Sequence, residues 1–150
     1  MTEQVTLTTP DAREIHVERV FDAPRERVFA AFTDPELIPQ WWGGGTVVDQ
    51  MDVRPGGTWR FVAGEMVFRG EYKEVTPPER IVQTFEREGM PGRHLETTEF
   101  EELGGAQTKL KLTLVFDTPE ERDMLLKYGG EAGMNETYAR LDELLASQQD

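Results

Sequence analysis

Side chains able to attack a substrate are scarce in this 150-residue chain, which has no cysteine, one serine (Ser147) and two histidines, His16 and His94. Ser147 lies in the terminal tail, where nothing would preorganise it, so serine and cysteine nucleophile schemes lack their central atom. The histidines stand in separate segments and neither belongs to an H-x-x-x-H or H-E-x-x-H spacing, so no metal site is expected. Glycine pairs at 56–57 and 104–105 lie between strand-like segments rather than between a strand and a helix. They read as hairpin turns and not as phosphate cradles, and no cofactor is expected.

General acid–base chemistry is the remaining catalytic option. Counting by twos from Phe100 places Thr98, Glu96 and His94 on one face of a strand. A carboxyl group turned towards an apolar interior has its pKa raised by desolvation, which makes it usable near neutral pH. The plain alternative is an ion pair of Glu96 with Arg19 or Arg60.

More residues point to binding. The inward parity of successive strands collects Trp59 and Phe61, Phe68 and Tyr72, Phe85, Phe100 with Thr98, then Leu112 and Leu114, while Met134 and Tyr138 face them from a helix. Singly, each is ordinary core. As a set, aromatic walls with a few polar points are what a pre-formed pocket for a small hydrophobic or aromatic molecule needs. Trp41 and Trp42, in IPQWWGGG, form its expected rim. Adjacent helical residues point about 100° apart, so one indole should plug the core or the cavity entrance and the other lie over the surface or an interface. There it would serve a homodimer, and Gly43–Gly45 would let that edge move.

The elements that must position these residues are legible from their periods. Ile15, Val17, Arg19 and Phe21 alternate through 14–22, the pattern of a half-buried strand. Pro24 suits the first turn of a helix carrying Val28, Phe29 and Phe32. Thr33 or Asp34 can cap a second short helix with Pro35 in its first turn. Strands then follow at 46–53, 58–62, 66–76, 80–86, 94–102 and 107–116, separated by turn residues such as RPGGT, TPPE and ELGGAQ. Thr118, Pro119 and Glu121 have the spacing of a capping box and announce a long terminal helix, with Met134, Tyr138, Leu141 and Leu145 inward and Arg140, Asp142 and Glu143 outward. YGGEAG at 128–133 predicts a kink. The expected class is α+β: a curved seven-stranded antiparallel sheet around a C-terminal helix, with room for a cavity where Gly70, Thr98, Gly129, Gly130 and Gly133 are small.

Composition sets the outer limits. With 37% hydrophobic residues the chain can bury one core, so a single domain over 1–150 is expected, with 1–12 as a flexible lead-in. A net charge of −13, with its 16 basic residues scattered singly, argues against nucleic acid or anionic membranes as partners. Lack of cysteine, of a signal-like start and of a long apolar run leads us to expect a cytoplasmic protein.

Three stretches, ERVFDAPRERVFAAFTDPELIPQWWG, MDVRPGGTWRF and FRGEYKEVTPPERIVQTF, resemble the activator of heat-shock protein 90 ATPase homologue-like family, within the START-like (SRPBCC), birch-pollen-allergen-like superfamily. A weaker similarity continues through TTEFEELGGAQTKLKLTLVFDTPEERD and GMNETYARLDELL, so the resemblance runs from about Arg13 to Leu145. It implies the helix-grip fold. Because that superfamily includes lipid carriers, hormone receptors, polyketide cyclases and co-chaperone domains, it implies a container for a small hydrophobic molecule. The alternatives are a cavity enzyme of cyclase or hydratase type using Glu96 or His94, and a ligand-free interaction module or chaperone cofactor.

Overall fold

The alternation in QTKLKLTLVF becomes strand β8 (Gln107–Phe116), in which Thr108, Leu110, Leu112, Leu114 and Phe116 are all buried. The structure, a computed structural model, describes residues 3–43, 45–90 and 92–148. Before β8 come β1 (Thr6–Thr8), β2 (Glu14–Phe21), helices α1 (Arg25–Thr33) and α2 (Ile38–Trp42), then β3 (Thr46–Met51), β4 (Thr58–Ala63), β5 (Met66–Thr76), β6 (Arg80–Arg87) and β7 (His94–Leu103). Helices α3 (Pro119–Lys127) and α4 (Gly130–Ser147) follow it. The strands form one eight-stranded antiparallel sheet in the order β1-β2-β8-β7-β6-β5-β4-β3. No helix among the described residues is long and apolar enough to cross a membrane.

Register carries one apolar face across the sheet. Ile15, Val17 and Arg19 lie opposite Leu114, Leu112 and Leu110, and on the other side of β8 the partners of Phe116, Leu114 and Leu112 are His94, Glu96 and Thr98. Laid flat, eight strands would span about 34 Å between the two edges. Both edges nevertheless reach α4. Beside β1, the Val5 N–H donates to Asn135 Oδ1 at 2.9 Å, and at the far edge α2, which packs on β3, is held by Arg140. The sheet therefore curls around the helix.

All seven expected strands form, and the structure adds β1. Its three residues carry no countable alternation, yet they pair antiparallel with Glu18, Val17 and His16. The lead-in expected to be flexible thus contains a strand; its residues 1–2 lie outside the described residues. The second helix starts later than expected. Thr33 completes α1, donating from Oγ1 to Phe29 O at 2.9 Å, and Asp34 closes a turn by accepting the Glu36 N–H at 2.9 Å. Pro39 then opens α2, where its missing N–H is not needed. At the other end of the chain, Thr118 caps α3 by accepting the Glu121 N–H, as its spacing predicts. The expected kink is a full break: Gly129 adopts φ +83°, and α4 starts so close to α3 that a Cβ on Gly130 would sit 2.7 Å from Leu125 O.

Two α4 residues expected to face outward do the opposite. Arg19, on the inner face of β2 and only 2% exposed, donates to both Asp142 oxygens at 2.8 and 2.6 Å. Arg140 donates from Nε to Trp41 O at 3.0 Å and from Nη2 to Trp42 O at 3.2 Å, closing the C-terminal end of α2. Long polar side chains can fold back over an apolar surface, which a helical wheel does not reveal.

Replacing Asp142 by Asn leaves the buried Arg19 charge without its counter-ion. A loss of about 3 kcal/mol in urea unfolding is expected, with much of it recovered in Arg19→Met/Asp142→Leu. An unchanged midpoint for Asp142→Asn would show that the pair does not hold the helix.

Candidate functional site

The two adjacent tryptophans divide the interior between them. Trp41 is 3% exposed, donates its indole N–H to Ala31 O at 2.9 Å and packs on Phe32 with ring centroids 4.7 Å apart. Phe32 and Phe29 in turn meet Phe100, at 5.3 and 5.2 Å. These rings pack on one another beneath α1, where Phe29, Trp41 and Phe100 are buried and Phe32 is half-buried. Trp42 points the other way. It is half-buried and contacts Phe61 at 4.9 Å, Phe68 at 5.7 Å, Phe85 at 6.1 Å and Trp59 at 6.3 Å.

Trp41 is thus buried, and Trp42, the indole expected over the surface or an interface, is half-buried against β4, β5 and β6. Gly43 takes φ +141° and Gly45 φ +82°, backbone that favours glycine and lets β3 leave α2 at once; Gly44 of the expected hinge lies outside the described residues.

From Phe85 the cluster becomes polar. The His94 ring stacks on Phe85 with 5.0 Å between centroids and an interplanar angle of 19°, and leans on Phe116 at 4.7 Å. Its Nε2 lies 2.8 Å from Glu96 Oε1, with side-chain exposures of 12% and 20%. Glu96 thus takes neither of the partners considered for it. Arg19 is bound to Asp142, and Arg60 donates to Glu88 and Asp49. Gln83 stands opposite Glu96 on β6, and Tyr138 reaches in from α4, its ring edge-on to Phe21 at 5.5 Å. Burial pushes the Tyr138 phenol up, the Glu96 carboxylate adds to that, and Arg19 opposes it. Burial alone pushes the Tyr72 phenol up. Both hydroxyls stay protonated at neutral pH and can donate hydrogen bonds.

Thr98, Leu112 and Leu114 form the buried floor, Tyr72 is 2% exposed, and Met134 is half-buried against the core. The small residues do not open the space expected of them. A Cβ on Gly70 would fall 1.9 Å from Thr84 O and 2.6 Å from Trp59 Nε1, so this glycine seats the Trp59 indole. Gly133 is exposed with nothing near it. What remains accessible on the inner face is Trp42, Phe68, Phe85, His94 and Glu96. Phe116 is buried and backs the His94 ring from β8, and the alternation of β8, which turns it inward with Leu114, is the signal that finds it. A depression of about 260 Å³ at the end of β7 and β8 touches His94 and Phe116 but lies mainly on the outer face of the sheet, with Lys73, Thr84, Leu95 and Val115 among its lining residues. No cluster of side chains able to hold a metal ion forms among the described residues.

An antiparallel sheet gripping a C-terminal helix, with half-open aromatic rings between them, defines a helix-grip protein of the START-like class. The chain belongs to the Activator of Hsp90 ATPase homolog 1-like protein family, whose model matches residues 22–146. A protein of Rhodobacter sphaeroides of known structure is 25% identical, with a TM-score of 0.86 over 97% of this chain and 100% of that one. An Hsp90 activator from Plasmodium falciparum is 22% identical, with a TM-score of 0.68 over 89% of this chain and 96% of that one, a likeness of fold alone. An uncharacterized protein of Schizosaccharomyces pombe is 28% identical over 102 residues, which are 67% of this chain and 29% of that protein's length.

Truncating the two indoles should separate their roles. Trp41→Leu leaves a void and an unpaired Ala31 carbonyl and should cost about 3 kcal/mol in urea unfolding. Trp42→Leu, at a half-open position, should cost about 1 kcal/mol. The reverse order would make Trp42 the core plug.

Proposed function

We propose that this protein binds a small molecule with an apolar or aromatic body in the cleft between its sheet and α4. One observation carries the reading: Trp42, Phe68 and Phe85 stay half-open on the same face that elsewhere buries Trp59, Ile81 and Leu114 completely or nearly so. Apolar rings left accessible inside a fold lose part of the stabilisation that burial would give them, and a ligand that covers them restores it. The lack of cysteine fits a reducing, cytoplasmic site of action.

A second reading rests on the 2.8 Å contact between His94 and Glu96. An imidazole and a carboxylate at hydrogen-bond distance inside an apolar cleft could move a proton on a bound substrate, as a cyclase or hydratase requires. Turnover lost in Glu96→Gln with binding retained would select it. Family membership supports a third, a chaperone cofactor, and stable capture of a chaperone by the apo protein would select that one.

The container reading is tested with a neutral fluorescent probe, N-phenyl-1-naphthylamine. It should bind with enhanced emission, and Trp42→Ala or Phe85→Ala should weaken it about tenfold while leaving the protein folded. Equal affinity in the parent and both variants would reject the cleft. Native mass spectrometry of protein purified gently from its host should show a discrete added mass.

A further inference from the structure

The interior already contains one cation seat, built from its own residues. The Arg19 guanidinium lies 4.5 Å from the centroid of the Phe21 ring and 6.0 Å from that of Tyr138, and Asp142 supplies the carboxylate. Ring faces and a carboxylate together replace the water that a buried cation gives up.

Near Tyr138 stands a second carboxylate with similar surroundings and no such cation. Glu96 points inward near the start of β7, between Gln83 and Leu114 on the neighbouring strands, and is four-fifths buried. Its Oε1 meets His94, while Oε2 has no hydrogen-bond partner among the described residues. Phe85 and Phe116 flank it through the His94 ring, and Trp42 stacks beyond Phe85. The cations nearby are committed or outside: Arg19 to Asp142, Lys73 to Glu71, with Arg13 and Arg93 exposed. An anionic ligand would meet Glu96 as a like charge in a partly desolvated cleft, and a neutral one would leave its charge unbalanced. The overall charge of −13 adds a long-range attraction for cations.

We infer that the cleft is selective for organic amines: a ligand with an aromatic or apolar body against Trp42 and Phe85 and a protonated nitrogen at Glu96. The inference rests on the container reading and adds to it the charge of the ligand.

Calorimetry at pH 8 with 2-(1-naphthyl)ethylammonium and its neutral isostere 2-(1-naphthyl)ethanol tests it. The ammonium should bind about tenfold or more tightly than the alcohol. Glu96→Gln, which keeps shape and hydrogen bonding, should reduce that ratio to near one while leaving alcohol affinity unchanged. His94→Gln, which keeps the carboxylate, should retain the preference. Equal affinities in the parent protein, or a preference that survives Glu96→Gln, would overturn the amine inference. If N-phenyl-1-naphthylamine still binds in that case, the container reading stands without it. If none of the three probes binds, both fall.

Discussion

A guanidinium buried on the inner face of a sheet has few ways to remain stable, and Arg19 constrains much of the architecture for that reason. Its charge requires a carboxylate at bonding distance, and Asp142 supplies one from α4. That contact sets the rotation of the helix as well as its position. With Asp142 turned to β2, Tyr138 one turn earlier must lie over Phe21, Leu141 and Leu145 must enter the core, and Arg140 must reach α2. Apolar contact alone would allow the helix to roll, because Leu, Met and Tyr can exchange places in a loosely shaped core. The ion pair removes that freedom.

From α4 the constraint passes to the tryptophans. Arg140 donates to the last carbonyls of α2, and a helix of only five residues gains much of its definition from such an end contact. Once α2 is pinned, Trp41 and Trp42 cannot both enter the same core, since neighbouring residues on a helix diverge. Trp41 finds Ala31 O and the α1 rings, and Trp42 finds β4, β5 and β6. The glycines after them serve departure from the helix: Gly43 has a positive φ that a β-branched or bulky residue would resist.

Most of the sheet was legible in the sequence because one face is wet. Where Lys109, Lys111 and Thr113 alternate with leucines, burial follows from counting, and the same count turned Glu96 and His94 inward correctly. Legibility failed where spacing carries no information. Thr6–Thr8 is too short to show a period, and Asp34 can cap a helix or close a turn with equal local chemistry. Arg140 and Asp142 read as surface because a charged residue on a helix usually is, and only the buried arginine on β2 and the exposed carbonyls of α2 reverse that. The small Gly70 suggests vacant space, whereas the Thr84 backbone and the indole of Trp59 occupy it. For Arg140 and Asp142 the deciding partner is distant in the chain.

The two ends of the interior are chemically unlike, and that difference carries the functional reading. Beneath α1, the rings of Phe29, Phe32, Trp41 and Phe100 close on one another and the one indole N–H has its carbonyl. Around Phe85, the same face of the same sheet carries Gln83, His94 and Glu96 in positions where leucine or valine would pack more tightly. Partial desolvation costs a polar group free energy, and one oxygen of Glu96 has no protein partner among the described residues and is open to solvent. A core selected only for stability would remove such groups, as it has at the α1 end. Such groups beside half-open aromatic rings suit the proposed site, with the α1 end supplying stability that the open end gives up.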